Sequence, residues 1–138
     1  MNIFDSSILV AALVESEFHH SACKILVTSG TFGVWTHSLV ETFNTLTSGK
    51  IKPRPSAANV AKALRSSIRP RASILQLPEE QMLNAFDEAE KRGVRGGAIF
   101  DYLHLITARH HSAARLYTLN TGHFASFWRE GDPIITHP

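Results

Sequence analysis

Asp5, Glu41 and Asp101 are the residues of this chain best placed to do chemistry, because each carboxylate interrupts an apolar stretch. Asp5 follows Met1-Asn2-Ile3-Phe4, Glu41 interrupts Ser38-Leu39-Val40-Glu41-Thr42-Phe43, and Asp101 lies within Ala98-Ile99-Phe100-Asp101-Tyr102-Leu103. An ionised carboxylate in apolar surroundings is costly unless a partner neutralises it. No Lys or Arg stands next to any of the three. Scattered acids of this kind point to a fold that gathers them around a divalent cation. Oxygen ligands favour Mg²⁺ or Mn²⁺ over zinc. Such a cation activates water for attack on a phosphodiester and offsets charge on the phosphoryl oxygens. Taken singly, Asp5 could instead cap a helix and Glu41 could lie on a helix's wet edge; the conjunction carries the metal reading.

The histidines are a rival signal. The eight of them show no HExxH or similar metal spacing. Two bear on the acids by position: His104 lies three residues after Asp101, and His123 three after Asn120.

Charge adds a second motif. The net charge is only +2, but Thr42 to Pro78 holds no acid while carrying Lys50, Lys52, Arg54, Lys62, Arg65, Arg69 and Arg71. A one-sign interval attracts anions, and nucleic acid is the commonest anionic partner. From it, Lys50, Lys52, Arg54, Arg65 and Arg69 are the expected nucleic-acid contacts. The plainer reading is a solvated basic surface.

The elements that must position these residues follow from local pattern. Met1–Phe4 reads as a short buried strand ending at Asp5, with Ser6 and Ser7 able to cap a helix through Leu13. A helix over Glu17–Ser29 stops at Gly30, Thr31–Trp35 reads as a strand, and Thr36 or Ser38 opens a helix to about Thr47, ended by Gly49. Pro53 and Pro55 mark a loop, Ser56 caps a basic helix to about Ser67, and Ser73–Leu77 is a strand. Pro78 starts an amphipathic helix through Arg92, and a glycine link leads to the helix Ala98–His111. Arg115–Leu119 is a strand, Gly122–Trp128 a short helix and Ile134–Thr136 a last edge strand. Strands alternating with helices imply a mainly parallel sheet with helices on both faces, an α/β fold of three layers, α/β/α. Ligands of such sheets bind beyond the carboxyl ends of the strands. Asp5 and Asn120 can share that rim, with Glu41 and Asp101 leaning over it from helices.

At 138 residues with 43% hydrophobic content, residues 1–138 fit a single globular domain. One cysteine, Cys23, excludes an internal disulfide. The apolar run Ile8–Val14 is too short to span a bilayer, so a soluble cytoplasmic protein with no membrane association is expected.

The order of these features resembles the PIN-domain nucleases, and within them the VapC-type toxins of bacterial toxin–antitoxin pairs. The matching pieces are Ile3-Phe4-Asp5-Ser6-Ser7, Val40-Glu41-Thr42-Phe43-Asn44-Thr45-Leu46-Thr47, Ala98-Ile99-Phe100-Asp101, and Leu116-Tyr117-Thr118-Leu119-Asn120-Thr121-Gly122-His123-Phe124. The resemblance implies that Asp5, Glu41 and Asp101 bind the metal, that Thr118 supplies a supporting hydroxyl, and that Ser6 is a polar neighbour of the first acid. Family members often carry further acids in the last segment, where this chain has Asn120 and His123. It also implies endoribonuclease activity dependent on Mg²⁺ or Mn²⁺, a homodimer, and inhibition by a small antitoxin. The alternative is a catalytically weak PIN-fold module that binds RNA or protein. A haloacid-dehalogenase-like phosphatase needs a second Asp where Ser7 stands, and a receiver domain needs an acidic cluster that is absent.

Overall fold

The computed structural model describes residues 1–138. The chain opens with β1 (Asn2–Phe4) and α1 (Ser6–Leu13), then α2 (His20–Ser29), β2 (Phe32–Trp35) and α3 (Thr36–Thr47). It continues through α4 (Ala57–Ala63), which runs on as a π turn over Leu64–Ile68, into β3 (Ala72–Leu75) and α5 (Glu79–Glu88). α6 (Ala98–His110), β4 (Arg115–Tyr117), a 3₁₀ turn (Thr121–Phe124) and β5 (Ile134–Thr136) complete it. No helix is long and apolar enough to cross a membrane.

The five strands form one sheet in the order β3-β2-β1-β4-β5, every pair parallel. Period-two alternation sorts the side chains to two faces. Ile3, Trp35, Leu75 and Leu116 enter the core shared with α5 and α6 through Ala85, Tyr102 and Leu105, and with Phe127 beyond the 3₁₀ turn. Phe4, Phe32, Val34 and Ala72 enter the opposite core with Ile8, Leu9, Val27 and Ile68. The three-layer α/β/α arrangement expected from the sequence is therefore present. At the centre of β2, Gly33 is paired with Ile3, and a Cβ there would meet Leu75 Cδ1 at 2.7 Å and Ile3 Cγ1 at 3.0 Å. Glycine leaves room for these side chains of the two neighbouring strands to close over β2.

Chain order reverses about β1. The strands step outward from β1 to β2 to β3, then cross back to lay β4 on the other flank of β1. Such a switch point opens a crevice beyond the carboxyl ends of β1 and β4. Asp5 directly follows β1, and Thr118 directly follows β4.

Boundaries differ from expectation where a hydrogen bond draws the chain away. Asp5, not Ser6 or Ser7, caps α1. α2 begins at His20 because Glu17 N–H and His20 N–H close turns onto the Val14 and Glu17 carbonyls. β3 covers Ala72–Leu75, and Thr36 Oγ1 donates to the Leu75 carbonyl at its end (2.9 Å). β4 ends at Tyr117, since Leu119 N–H turns to Ser7 Oγ (2.9 Å). α2 ends on an extended Gly30 (φ −174°), whereas Gly49 after α3 adopts the left-handed φ of +93°. The helix expected over Gly122–Trp128 is a 3₁₀ turn ending at Phe124.

α5 stops at Glu88, where Ala89 N–H turns to the Phe86 carbonyl (3.2 Å), short of the expected Arg92, whose side chain reaches across the fold. Its Nη1 donates to Asp132 Oδ2 (3.1 Å) and to the Phe127 carbonyl (2.7 Å). Arg109 Nη1 on α6 donates to Asp132 Oδ1 (3.3 Å), and Arg129 N–H donates to Oδ2 (2.9 Å). The Asp132 side chain is only 3% exposed. This clamp ties the link before α6, α6 itself and the segment before β5 into one body. Removing one partner from a buried ion network strands the other charges. Asp132→Ala is expected to lower unfolding stability by roughly 3 kcal/mol in urea denaturation; a loss below about 1 kcal/mol, as for an exposed pair, would contradict the clamp.

Candidate active site

Asp5 holds two roles at once. Its Oδ1 accepts from Ser7 N–H (3.0 Å), Ile8 N–H (3.3 Å) and the Ser7 hydroxyl (2.5 Å). The first two bonds cap α1, the plainer role its position allowed. All three fall on Oδ1, so Oδ2 stays outside the cap. The residue is nearly fully buried, and burial pushes its pKa up, against hydrogen bonds from Ser7, Thr118 and Ile8, with Asp101 adding to the rise. Ser7 also accepts the Leu119 N–H, so one hydroxyl joins α1 to the loop after β4. Buried Thr118 lies beside Asp5, and its Oγ1 accepts from Asn120 N–H (3.0 Å).

Glu41 projects from the second turn of α3, with its side chain one-third exposed. One oxygen, Oε1, is buried and has no hydrogen-bond partner. His37, one turn earlier, brings Nε2 to 3.8 Å from it, too long for a hydrogen bond. Burial raises the Glu41 pKa to about 7, helped by the charges of Asp5 and then Asp101, while Ser6 opposes the rise. Ser6 is thus a neighbour of the second acid; Ser7 serves the first.

Asp101 stands in the first turn of α6, about as exposed as Glu41. Burial raises its pKa; the charge and hydrogen bond of His123 act against that. His123 Nδ1 lies 3.3 Å from Asp101 Oδ2. The sequence signal that Asp101 had no cationic neighbour holds only along the chain: the 3₁₀ turn delivers a histidine to it.

The fold thus gathers Asp5, Glu41 and Asp101, with Ser6, Thr118 and His123, at the rim beyond β1 and β4. Asn120 is exposed there and uses only its backbone in the turn. Lys50, Lys52, Arg54, Arg65 and Arg69 are exposed on the loop between α3 and α4 and on and after the π turn, with no ion pair to the acids. As the side chains stand, no three of the His, Cys, Asp or Glu groups converge tightly enough to enclose one ion. The donor set nevertheless fits a hard cation that keeps much of its water and takes only one or two direct carboxylates, as Mg²⁺ does. Glu41 Oε1, buried without a partner, is a ready ligand of that kind.

Sequence reasoning missed the pieces that align α3 with α6. His104 on α6 is fully buried and hydrogen-bonded through Nε2 to Ser38 Oγ on α3 (2.5 Å). Burial, then the His37 charge, drop its pKa to about 3, so the ring is neutral at pH 7. Trp35 packs edge-on against His104 (5.0 Å between centroids), and His37 stacks flat on Phe100 (5.1 Å, 4°). The available signal was spacing: His37 and Glu41 are four apart on one helix, as neighbours on a face must be.

Opposed titrations follow. A carboxyl whose folded pKa is raised stabilises the protein below its unfolded value, and that stability is lost as pH rises through the folded value. For Glu41 the window runs from 4.5 to about 7. His104 acts oppositely, losing stability as pH falls from 6.5 toward about 3. Comparing wild type with Glu41→Gln cancels the histidine. In metal-free buffer Glu41→Gln is expected to be the more stable protein at pH 7.5, with the gap closing toward pH 4.5. Chemical denaturation across that range measures it, and a gap independent of pH would remove Glu41 from the coupled cluster.

The comparisons agree with this architecture. The PIN domain profile matches residues 3–127. No curated protein matches the sequence closely enough to count. Among solved structures, the Mycobacterium tuberculosis VapC20, a sarcin–ricin-loop-cleaving toxin, superposes with a TM-score of 0.71 at 18% identity, covering 96% of this chain and 100% of its own. VapBC2 of Rickettsia felis, bound to a DNA fragment from its promoter, gives 0.65 at 18% identity, covering 99% and 97%. FitAcB of Neisseria gonorrhoeae gives 0.65 at 16% identity, covering 98% and 96%. At these identities the likeness is one of fold.

Proposed function

The chain belongs to the PIN-domain family, and on that footing we propose that it is a metal-dependent endoribonuclease, the toxin of a toxin–antitoxin pair. The observation that carries this reading is the meeting of Asp5, Glu41 and Asp101, from three separate elements, at the switch point of a parallel sheet. Burial, and after it the charge of the neighbouring acids, raises Asp5 and Glu41, and Glu41 Oε1 is buried with nothing to bond. The fold likeness to VapC20, a toxin that cleaves an RNA loop, and to the VapBC2 complex supports the toxin reading and a small antitoxin partner. A homodimer and a single domain over residues 1–138 complete the proposal.

Asp5, Glu41 and Asp101 are the residues that would hold Mg²⁺ or Mn²⁺. Such a cation supplies charge neutralisation at the phosphodiester and a more acidic water. The chain's own groups do the rest. Asp5 Oδ1 is fixed by α1, so its position is set by the scaffold rather than by a rotamer choice. Glu41, raised to about 7 by burial and the neighbouring acids when no cation is present, is the acid whose proton a bound cation would displace. His123 sits at Asp101 on the exposed side with Nδ1 toward the carboxylate, so its Nε2 would donate to a phosphate or departing oxygen only as the imidazolium. Lys50, Lys52, Arg54, Arg65 and Arg69 would hold the polyanion by charge alone.

The alternative, a PIN-fold module that binds RNA or protein without cutting, draws on one observation: the side chains do not yet enclose an ion. A divalent-cation titration separates the two. Asp5→Asn, Glu41→Gln and Asp101→Asn are each expected to reduce Mn²⁺- or Mg²⁺-dependent RNA cleavage to background while circular dichroism stays native. Full activity in any two of them would remove the acids from the site, and RNA binding indifferent to both cations would favour the module.

Growth supplies a second test. Induced expression of the wild-type chain without a partner is expected to arrest bacterial growth, and Asp101→Asn to abolish the arrest. Equal growth of the two strains would argue against the toxin role while leaving the nuclease assignment standing.

A further inference from the structure

A cleft of about 510 Å³ lies between α1, α2 and the π turn, larger than the pocket of about 280 Å³ beside Asn120. It is on the rim opposite the acids. Ala12 and Leu13, at the far end of α1 from Asp5, form one wall. Eight residues of helix put roughly 12 Å between those ends at 1.5 Å per residue. Pro70 and Arg71 form another wall just before β3, and the Arg71 carbonyl accepts from Phe32 N–H at the start of β2 (3.2 Å). The cleft therefore opens at the amino ends of strands whose carboxyl ends face the acids.

Its lining is cationic. Lys24 and Arg71 both face it, with His20, against a single acid, Glu15. Neither Lys24 nor Arg71 enters an ion pair, and Glu15 is within 4.0 Å of no cation. Two permanent charges of one sign, sharing a concave wall without a counter-ion, hold a positive potential there. One neutral donor is also in place. His20 does not add a second: its Nδ1 lies 2.8 Å from the Ala11 carbonyl, which can only accept, so Nδ1 carries the proton and Nε2 of the neutral ring is an acceptor. Ser66 and Thr28 spend their hydroxyl protons on the Lys62 and Lys24 carbonyls, leaving Ser67 as the free hydroxyl donor.

We propose that this cleft is a second anion site, one that takes a phosphate group between Lys24 and Arg71, distinct from the acid site by a helix length. A phosphate there is either a backbone phosphate of bound RNA, held away from the cut bond, or a free phosphorylated small molecule. The phosphate chemistry stands apart from the nuclease reading; only the RNA source rests on it.

The test uses the full chain in metal-free buffer, where cleavage is not read. Pyrophosphate is titrated while backbone amide resonances are followed by NMR. Shifts confined to Lys24, Thr28, Ser67 and Arg71, leaving Asp5 and Glu41 unmoved and lost in Lys24→Gln/Arg71→Gln, establish the phosphate site. In parallel, affinity for a single-stranded RNA is measured against salt for that variant and for Lys91→Gln/Arg95→Gln, a charge-matched control on the link before α6. Two lost phosphate contacts flatten the slope by roughly 1.4, at about 0.7 each for single strands. A flattening specific to the cleft variant assigns RNA as the source; pyrophosphate shifts without it assign a free phosphoanion. Equal slopes in both variants, with no pyrophosphate shift at the cleft, reduce it to a solvated cationic surface and overturn the proposal.

Discussion

One carboxylate oxygen, Asp5 Oδ1, connects the scaffold to the site. It receives the first free N–H groups of α1, which a helix start must satisfy, and the Ser7 hydroxyl, which in turn takes Leu119 N–H. β1, α1 and the loop after β4 thus share one small set of hydrogen bonds. This constraint locates everything else at the rim. With the cap drawn to Oδ1, the rest of the carboxyl stands where β1 ends, and Thr118 and the turn carrying His123 are brought beside it. A capping role and a chemical role are usually weighed as alternatives; here the two oxygens of one side chain allow both.

The cost of that arrangement is electrostatic, and Glu41 has the fewest partners to offset it. Asp5 offsets part of its desolvation with helix amides, and Asp101 with His123. Glu41 has Ser6 beside it, but its buried oxygen has none. The nearest basic group, His37, has its pKa lowered by burial and so is neutral at physiological pH. The ring is held in that state by packing against Trp35 and Phe100. His104 beneath is neutral as well. The helices carrying Glu41 and Asp101 are therefore joined by aromatic and neutral contacts, not by cations of the protein's own, and the acids keep their charge conflict.

How much of this the sequence disclosed follows from the range of each interaction. The alternation of strands and helices, the Ser56 cap and the glycine after α3 are local, and each is present. The three acids were visible because an apolar stretch is local too. What stayed hidden was pairing across the fold. Asp132 lies in a polar segment with nothing to mark it, yet it gathers Arg92 and Arg109 from 40 and 23 residues away. His123 gave no sign of reaching Asp101, and Ser38 and His104 meet 66 residues apart. One element end slipped for the same reason: β4 stops where the distant Ser7 hydroxyl takes the Leu119 N–H.

Burial was also read too uniformly. An apolar neighbourhood in sequence suggested three equally buried acids, but a helix turns its residues through all directions while a strand end does not. Asp5, at the end of a central strand, is buried on every side. Glu41 and Asp101, on helix faces that lean over the rim, keep about a third of their side chains in solvent. That gradient has a chemical sense for a site that must admit a polyanion. In the nuclease proposed above, the fixed, buried acid would define the position, and the two half-exposed acids on separate helices would be the ones able to change rotamer. Both rest on a scaffold tied together by the Asp5 cap and the Asp132 clamp.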